Sequence, residues 1–261
     1  AIQLAEGVPV AIATTAADAF ALDPAAVAAA VTPKTKAILL GYPANPTGAV
    51  LSPGALARIG QIAEEHNLLV VSDEIYDRLV YGVEHTPMAS VPGMRERTIT
   101  LGGFSKTYAM TGWRVGYVAA PFTLLEGVMK IHQYVMMSAP TAAQYAALEA
   151  LRSGEEHLIS MRDEYDRRRR LMYEGFRRIG LPCVEPLGAF YTFPSVAPTG
   201  LDDETFAEQL LLEERVAVVP GSAFGEAGRG HVRACYATSL SDIERALERI
   251  QRFVASRIGA K

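Results

Sequence analysis

One lysine stands in an unusual setting in the segment GGFSKTYAMTGWRVGY, residues 102–117. Lys106 follows two glycines, a phenylalanine and a serine, and the segment contains no acidic residue. The next cation, Arg114, comes eight residues later, beside the only tryptophan of the chain. A lysine without carboxylate neighbours is not committed to an ion pair, so its amine can serve as a nucleophile or a base. Lys106 is therefore the first candidate for a chemical role.

Three further polar residues stand at comparable positions. Asn45, Asp73 and Tyr76 each come at or shortly after the end of a predicted strand, as Lys106 does. Ligands of open parallel sheets bind at the carboxyl ends of the strands. If the strands are neighbours, an amide, a carboxylate, a phenol and an amine meet at one edge of the sheet.

Each of these residues also has an ordinary structural explanation. Asn45 in NPTG fits a turn, Asp73 fits the cap of a following helix, and Tyr76 fits a packed core. The segment GGFSKT hints at a phosphate loop, but that motif needs a glycine directly before the lysine, where this chain has Ser105. A P-loop nucleoside triphosphatase is therefore disfavoured. The four polar residues together are harder to explain by chance than any one of them.

The hydrophobic pattern indicates a mainly parallel α/β sheet that would position these residues. Short apolar runs bounded by turn residues predict strands, and apolar residues at helical spacing predict helices. The predicted strands cover 35–42, 68–73, 98–103 and 113–120, and the helices among them cover 23–31 and 52–67. Strands that alternate with helices are typical of a parallel sheet, and the first strand is expected to be buried on both faces.

Beyond residue 120 the pattern turns helical and then mixed. Helices are predicted at 122–136, 141–152, 154–179, 203–214 and 240–257, with short strands in AFYTFP, VAVVPG and HVRACYA. The third of these helices carries one apolar stripe, and its DRRRR run is expected to lie on a solvated charged face. We predict a partial large domain at residues 1–150 and a smaller α+β domain at 151–261, joined by that long helix.

Composition limits the class of protein. The chain of 261 residues is 49% hydrophobic and 21% charged, with a formal net charge of −4. An acidic balance argues against nucleic-acid binding, which needs a basic surplus. The two distant cysteines and the scattered histidines predict a reduced intracellular protein without a metal site. No apolar run approaches the ~20 residues that a membrane-spanning helix needs.

Several motifs, taken together, resemble those of the class I/II aminotransferases, which are fold-type I enzymes dependent on pyridoxal 5′-phosphate (PLP). The motifs are NPTG, SDEIYDRLVYG, GFSK with an arginine eight residues after its lysine, and VRACYATS. They occur in the family's order with close to its spacing, and the resemblance runs over essentially the whole chain. The combination is specific, whereas no single motif is. It implies an incomplete PLP-binding large domain and a smaller C-terminal domain.

The resemblance implies a role for each candidate. Lys106 resembles the lysine that forms a Schiff base with PLP and then moves a proton during amino transfer. Asp73 resembles the carboxylate that pairs with the pyridine nitrogen, and Asn45 and Tyr76 resemble the donors to the phenolate oxygen. Arg114 resembles the cation that neutralises the cofactor phosphate. A planar guanidinium group suits this role because it can donate two parallel hydrogen bonds to phosphate oxygens.

Two further residues are assigned in the same way. Arg233, in HVRACYATS, resembles the arginine that holds the α-carboxylate of the substrate; a surface ion pair is its alternative. Ser105 is a secondary candidate for the phosphate, because some relatives carry a hydroxyl three residues before the lysine, where this chain has Gly103. The segment VVPGSAFG, 218–225, resembles the loop that closes over the substrate.

The resemblance implies an enzyme of amino acid metabolism that transfers an amino group between an amino acid and a 2-oxo acid. It also implies a cytoplasmic location and a homodimer. Two alternatives stay open: a PLP-dependent carbon–sulfur lyase, and a non-catalytic aminotransferase-like sensor domain of a transcription regulator. Relatives carry a glycine-rich phosphate loop and a ring-stacking aromatic upstream of the position that matches residue 1. We therefore expect this chain to be part of a longer protein and to be weakly active or inactive by itself.

Overall fold

A four-stranded sheet carries the first group of candidate residues. The structure, a computed structural model, describes residues 1–258. The strands are β1 (Ala37–Gly41), β2 (Leu69–Asp73), β3 (Thr98–Gly103) and β4 (Gly116–Ala119), in that spatial order. The first three run parallel, and β4 is antiparallel to β3. The predicted mainly parallel α/β sheet is confirmed, with one antiparallel strand at its edge.

The register of the parallel strands aligns their carboxyl ends. Gly41 pairs with Asp73, and Asp73 pairs with Leu101 on the next strand. Asn45 lies four residues beyond the first of these positions and Lys106 five residues beyond the last. Because parallel strands end at the same edge, the chain delivers all three polar residues there.

Local signals set the starts of the two helices that precede β1 and β2. They are α1 (Pro24–Ala30) and α2 (Pro53–Glu65), and a proline begins each one. The side chains of Asp23 and Ser52 accept hydrogen bonds from backbone amides two and three residues ahead, at 2.8 and 3.2 Å. Both helices therefore begin where the sequence pattern predicts.

The two helices cover one face of the sheet. Leu40 and Val70 are buried in the core that α1 and α2 form with the sheet, whereas Leu39, on the opposite face of β1, is 63% exposed. The expectation that the strand at 35–42 is buried on both faces is wrong in the part of the chain described here. Successive side chains of a strand point to opposite faces, and the helices pack on only one of them.

The remaining strands and α-helices of the described chain are three strands of a second, smaller sheet and six helices. They are α3 (Phe104–Thr107), α4 (Phe122–Val135), α5 (Thr141–Ser153), α6 (Glu155–Ile179), β5 (Tyr191–Thr192), α7 (Asp203–Glu214), β6 (Val219–Pro220), β7 (Val232–Cys235) and α8 (Leu240–Ile258). The sheet has the order β5–β7–β6 and is antiparallel. From α4 onward, each long helix agrees with its predicted bounds to within one residue.

The two halves of the chain share a core. Phe176 of α6 and Tyr236, which follows β7, belong to one buried cluster that also contains Tyr76, Leu79 and Tyr81 from the segment after β2. Tyr76, Leu79 and Tyr81 therefore pack in the core of the second sheet, although they follow a strand of the first. The division of the chain after residue 150 stays a prediction.

Arg169 binds α6 to the segment that enters β5. Its buried guanidinium donates to Asp166 at 2.7 Å, to Glu185 at 2.6 Å and to the carbonyl of Pro186 at 3.1 Å. It also lies 5.4 Å from the centre of the Tyr81 ring. The basic run of α6, expected to form a solvated charged face, thus contains one buried cation that joins three parts of the chain.

Glu74 forms a second buried polar centre, directly after Asp73. One carboxylate oxygen accepts hydrogen bonds from the Ser72 hydroxyl at 2.8 Å and the Met88 amide at 3.0 Å, and the other lies 3.0 Å from Nε2 of His85. Burial works to raise the pKa of Glu74, but the hydrogen bonds with His85, Met88 and Ser72 outweigh it and hold this pKa below its usual value. These hydrogen bonds of Glu74 therefore fix the backbone at the neighbouring Asp73.

Replacing Arg169 by methionine tests the first of these centres. Arg169→Met removes a buried guanidinium group, so that Glu185 and the Pro186 carbonyl lose their donor while Asp166 keeps Arg170. We expect the free energy of unfolding to fall by about 2 to 4 kcal/mol, as for other broken buried pairs. Arg170→Met is the matched control, because this neighbour pairs with Asp166 from an exposed position and its loss costs below about 1 kcal/mol. Urea unfolding followed by circular dichroism measures both, and equal losses would contradict the role of Arg169.

Replacing Glu74 by glutamine tests the second through its pH dependence. The folded pKa of Glu74 is lower than its unfolded value of about 4.3, so the carboxylate stabilises the fold above that value and ceases to do so as the pH falls through the folded pKa. We expect Glu74→Gln to be less stable than the natural protein by about 1 to 3 kcal/mol at pH 7, and the difference to shrink below about pH 4.

Urea unfolding at pH 7, 5 and 3.5 measures this difference. Glu126→Gln on α4 is the control, since this exposed residue pairs with Lys130, four residues further along the helix. A stability difference that does not change with pH would rule out the buried carboxylate as its source.

Candidate functional site

Lys106 lies on α3, the single helical turn that follows β3, and its side chain is half-buried. Its Nζ is 5.6 Å from the centre of the Phe190 ring. It makes no ion pair with any residue between 1 and 258. The face of an aromatic ring is only a weak partner for an ammonium group. The amine is therefore available to a ligand.

Two tyrosines, Tyr76 and Tyr191, pack against the Phe190 ring. The Tyr76 hydroxyl lies 3.1 Å from that of Tyr191, and the Tyr76 ring meets the Phe190 ring edge-on, with 5.3 Å between their centres. Burial, and then the hydrogen bond with Tyr191, raise the pKa of Tyr76 well above its usual value. Its hydroxyl therefore stays protonated at physiological pH and can donate to an anionic oxygen.

Arg233, on β7, reaches the edge of the first sheet. Its Nη1 donates to Oδ1 of Asn45 at 2.8 Å, although the two residues are 188 positions apart. Its guanidinium carbon lies 4.5 Å from the centre of the Tyr191 ring and 4.8 Å from that of Phe224. Because the amide oxygen of Asn45 is occupied by Arg233, its NH₂ group is left to donate to a ligand.

The structure bears on the structural alternatives considered for Arg233 and Asp73. Arg233 is half-buried and pairs with no carboxylate of the described chain, so it is not the surface ion pair considered above. Asp73 is exposed at the end of β2, and one of its oxygens accepts the Ile75 amide at 3.2 Å. Asp73 thus closes a short turn and does not cap a helix, since no helix follows β2 directly, and it forms no ion pair within residues 1–258.

Arg114 lies in the turn before β4, where it has a left-handed φ of 55°. Its Nη1 donates to the Thr111 carbonyl at 2.9 Å, and the Thr111 hydroxyl donates to the Ser105 carbonyl at 2.9 Å. These bonds hold the Arg114 turn against the turn that carries Lys106. They also explain why the strand predicted at 113–120 begins only at residue 116.

A side chain at Gly103 would meet the end of the Ile75 side chain. A Cβ at this position would lie 2.8 Å from Cδ1 of Ile75, closer than real Cβ contacts. A hydroxyl three residues before Lys106 would therefore require Ile75 to move. The Ser105 hydroxyl makes no hydrogen bond within the part of the chain that the structure describes, so the phosphate assignment of Ser105 stays a prediction.

The aromatic residues that connect these groups are not evident from the sequence alone. Phe190, Tyr191 and Phe224 lie in AFYTFP and VVPGSAFG, which were interpreted as a strand and a loop without side-chain roles. Only the contact with Arg233 distinguishes Tyr191 and Phe224 from core aromatics, and that contact joins separate segments. The local signal in the sequence is the dense aromatic content of AFYTF.

Two kinds of site are absent from residues 1–258. No cluster of three or more histidine, cysteine, aspartate or glutamate side chains there could hold a metal ion. None of the helices in this range combines the length and apolar character that crossing a bilayer requires.

Comparison with known proteins identifies the family. A family model described as aminotransferase class I and II matches residues 1–250. The chain is 47% identical to an aspartate aminotransferase of Pyrococcus abyssi and 46% identical to aromatic-amino-acid aminotransferase 2 of Thermococcus litoralis, each over 255 residues. Each match covers 97% of this chain and 66% of the relative, so the chain spans about two thirds of their length.

The fold agrees with this similarity. The crystal structure of an aromatic aminotransferase from Pyrococcus horikoshii matches with a TM-score of 0.95 at 47% identity, covering 98% of this chain and 69% of that one. The resemblance inferred from the motifs is confirmed, and the chain belongs to the class I and II aminotransferase family.

Proposed function

We propose that the protein transfers an amino group between an amino acid and a 2-oxo acid, with PLP as its cofactor. The observation that carries this proposal is the setting of Lys106, whose amine has no ion pair within the described chain and lies against Phe190. Tyr76 contacts the same ring. The relatives named above are an aspartate and two aromatic aminotransferases, which supports the same class of reaction.

The available groups suit the chemistry of PLP. A pyridine nitrogen needs a carboxylate partner, which Asp73 supplies, and a phenolate oxygen needs donors, which Tyr76 and the NH₂ group of Asn45 supply. A phosphate needs a cation, and Arg114 offers a guanidinium group. When bound, PLP supplies an electron sink for the α-carbon of the amino acid, which no side chain provides.

The residues of the chain then bind, orient and move protons. Lys106 would hold the cofactor and, once the substrate amine has displaced its own, would carry the proton from the substrate α-carbon to the cofactor. Asp73 would keep the ring nitrogen protonated. Arg233 binds the α-carboxylate of the substrate, since its bond to Asn45 uses one of five N–H groups and leaves the others as donors.

No observation favours the carbon–sulfur lyase or the sensor domain over this reaction. The homodimer and the cytoplasmic location stay predictions from the resemblance. Ser105 stays a secondary candidate for the phosphate.

Covalent attachment of the cofactor is the first test. The protein, expressed from its complete reading frame, is incubated with PLP, reduced with borohydride and mapped by mass spectrometry. We expect a pyridoxyl adduct on the peptide of Lys106, which Lys106→Ala abolishes. Lys130→Ala, at an exposed lysine of α4, is the control and keeps the adduct. Adducts spread evenly over several lysines would overturn the assignment.

The reaction itself is tested with the same preparation. Aspartate and an aromatic amino acid are offered as donors with a 2-oxo acid as acceptor, and the product amino acid is measured. Amino transfer supports the proposal. Release of pyruvate and ammonia from a sulfur-containing amino acid without any acceptor would instead identify a lyase.

The ring of Tyr191 gives a prediction about substrate affinity. Tyr191→Leu removes the aromatic face beside Arg233, and we expect KM for the amino acid to rise about 5- to 30-fold, because a partly desolvated cation–π contact contributes about 1 to 2 kcal/mol. Tyr191→Phe keeps the ring and is the control, with a smaller rise expected. Steady-state kinetics measure both, and equal rises would show that the hydroxyl rather than the ring matters.

A further inference from the structure

The loop between β6 and β7, residues 221–231, carries an aromatic ring to Arg233. Phe224 of this loop lies 4.8 Å from the guanidinium carbon of Arg233. The same ring meets Phe193 edge-on, with 6.3 Å between the ring centres. The position of the loop therefore decides whether Arg233 has an aromatic partner on this side.

A buried carboxylate closes the base of this loop. Asp203, the first residue of α7, is 2% exposed. Its Oδ2 accepts the Ser222 amide at 2.7 Å and its Oδ1 accepts the Gly230 amide at 3.1 Å. These amides stand near the two ends of the loop, so one side chain holds both ends together.

The two ends also approach each other too closely for any side chain. A Cβ on Gly221 would lie 1.9 Å from the Gly228 carbonyl oxygen, and a Cβ on Gly228 would lie 2.2 Å from the Gly221 oxygen. The Gly221 amide donates to the His231 carbonyl at 2.8 Å. Because the ends are in backbone contact, we expect the loss of either hydrogen bond to Asp203 to loosen both ends of the loop.

Asp203 is not required as a helix cap. The preceding residue, Asp202, accepts the Thr205 amide at 2.8 Å and the Thr205 hydroxyl at 2.9 Å, which caps α7. Burial works to raise the pKa of Asp203, but the amides of Ser222 and Gly230 outweigh it and hold this pKa below its usual value. The carboxylate is therefore charged at neutral pH, when it accepts both bonds most strongly.

We infer that Asp203 is a positioning residue for the substrate-carboxylate site: it closes the loop at 221–231 and thereby holds Phe224 against Arg233. Asp203 touches neither Arg233 nor a substrate and acts only through the loop. The effect on substrate binding rests on the proposed function of Arg233, whereas the closure of the loop does not.

Asp203→Asn is the test, with Asp202→Asn as its matched control. The first change turns one acceptor oxygen into an NH₂ group that faces a backbone N–H. The second removes the same charge one residue away, but asparagine caps a helix as well as aspartate does. Asp203→Ser, which retains one short acceptor, replaces the test variant if Asp203→Asn does not fold by circular dichroism.

The first measurement is hydrogen exchange of the loop amides at pH 7. We expect the Ser222 and Gly230 amides to exchange about 10- to 100-fold faster in Asp203→Asn, because each loses a bond to a charged acceptor. The control variant is expected to exchange as the natural protein does. Unchanged exchange in Asp203→Asn would overturn the closure.

The second measurement follows Arg233 without any activity. In protein labelled with ¹⁵N-arginine, the ring of Phe224 shifts the Nε–H proton of Arg233, a resonance assigned with Arg233→Lys. We expect Asp203→Asn to move this resonance toward its position in Phe224→Ala, and Asp202→Asn to leave it in place. A resonance that stays in place while the loop amides exchange faster would refute the link from the loop to Arg233.

Kinetics then separate the inference from the proposed function. In a transferring enzyme, Asp203→Asn is expected to raise KM for the amino acid about 5- to 30-fold, as the loss of one cation–π partner does, with kcat nearly unchanged. A natural protein that transfers no amino group would overturn the proposed function, and the Arg233 resonance would still decide the inference.

Discussion

Gly41, Asp73 and Leu101 lie side by side in three parallel strands, and this register determines where the candidate site forms. It brings the segments that follow the strands to one edge of the sheet. Asn45 and Lys106 lie in the segments after β1 and β3, on either side of the strand that ends at Asp73. A slip of one residue in either pairing would turn the side chains of that strand to the opposite face. The buried Glu74, with its bonds to Ser72, His85 and Met88, holds the end of β2 at this position.

The second sheet completes the site by contact. Arg233 comes from β7 and reaches Asn45, while the ring of Tyr191 contacts Arg233 and its hydroxyl bonds Tyr76. Phe190 joins the same aromatic group and lies beside Lys106. The phenol, the amide and the guanidinium group are therefore linked to one another by side chains from β5 and β7, and not through the first sheet alone.

Five of the charged residues form two groups with different surroundings. Glu74, Arg169 and Asp203 are buried, and each makes two or more hydrogen bonds, which is the condition under which a buried charge is tolerated. Lys106 and Asp73 are less buried and form no ion pair within residues 1–258. The first group stabilises and positions segments of the chain, and the second is left with binding capacity for a ligand.

The sequence by itself determined the elements and the family. Helix caps, prolines and apolar periodicity are local signals, and they placed α1, α2 and the long helices close to their observed ends. The motifs around Asn45, Asp73 and Lys106 were also readable, since each occupies a short segment at a strand end. The family comparison supports the same interpretation.

Only the tertiary structure decided which side chains meet. The contact of Arg233 with Asn45, Tyr191 and Phe224 joins segments far apart in the chain, and no local pattern encodes such a contact. The same holds for the burial of Arg169 within a basic run and for the exposed face of β1, because burial depends on what packs against a residue. Asp202 and Asp203 are identical neighbours in the sequence, yet one caps a helix and the other closes a loop, since the fold brings the amides of Ser222 and Gly230 to only one of them.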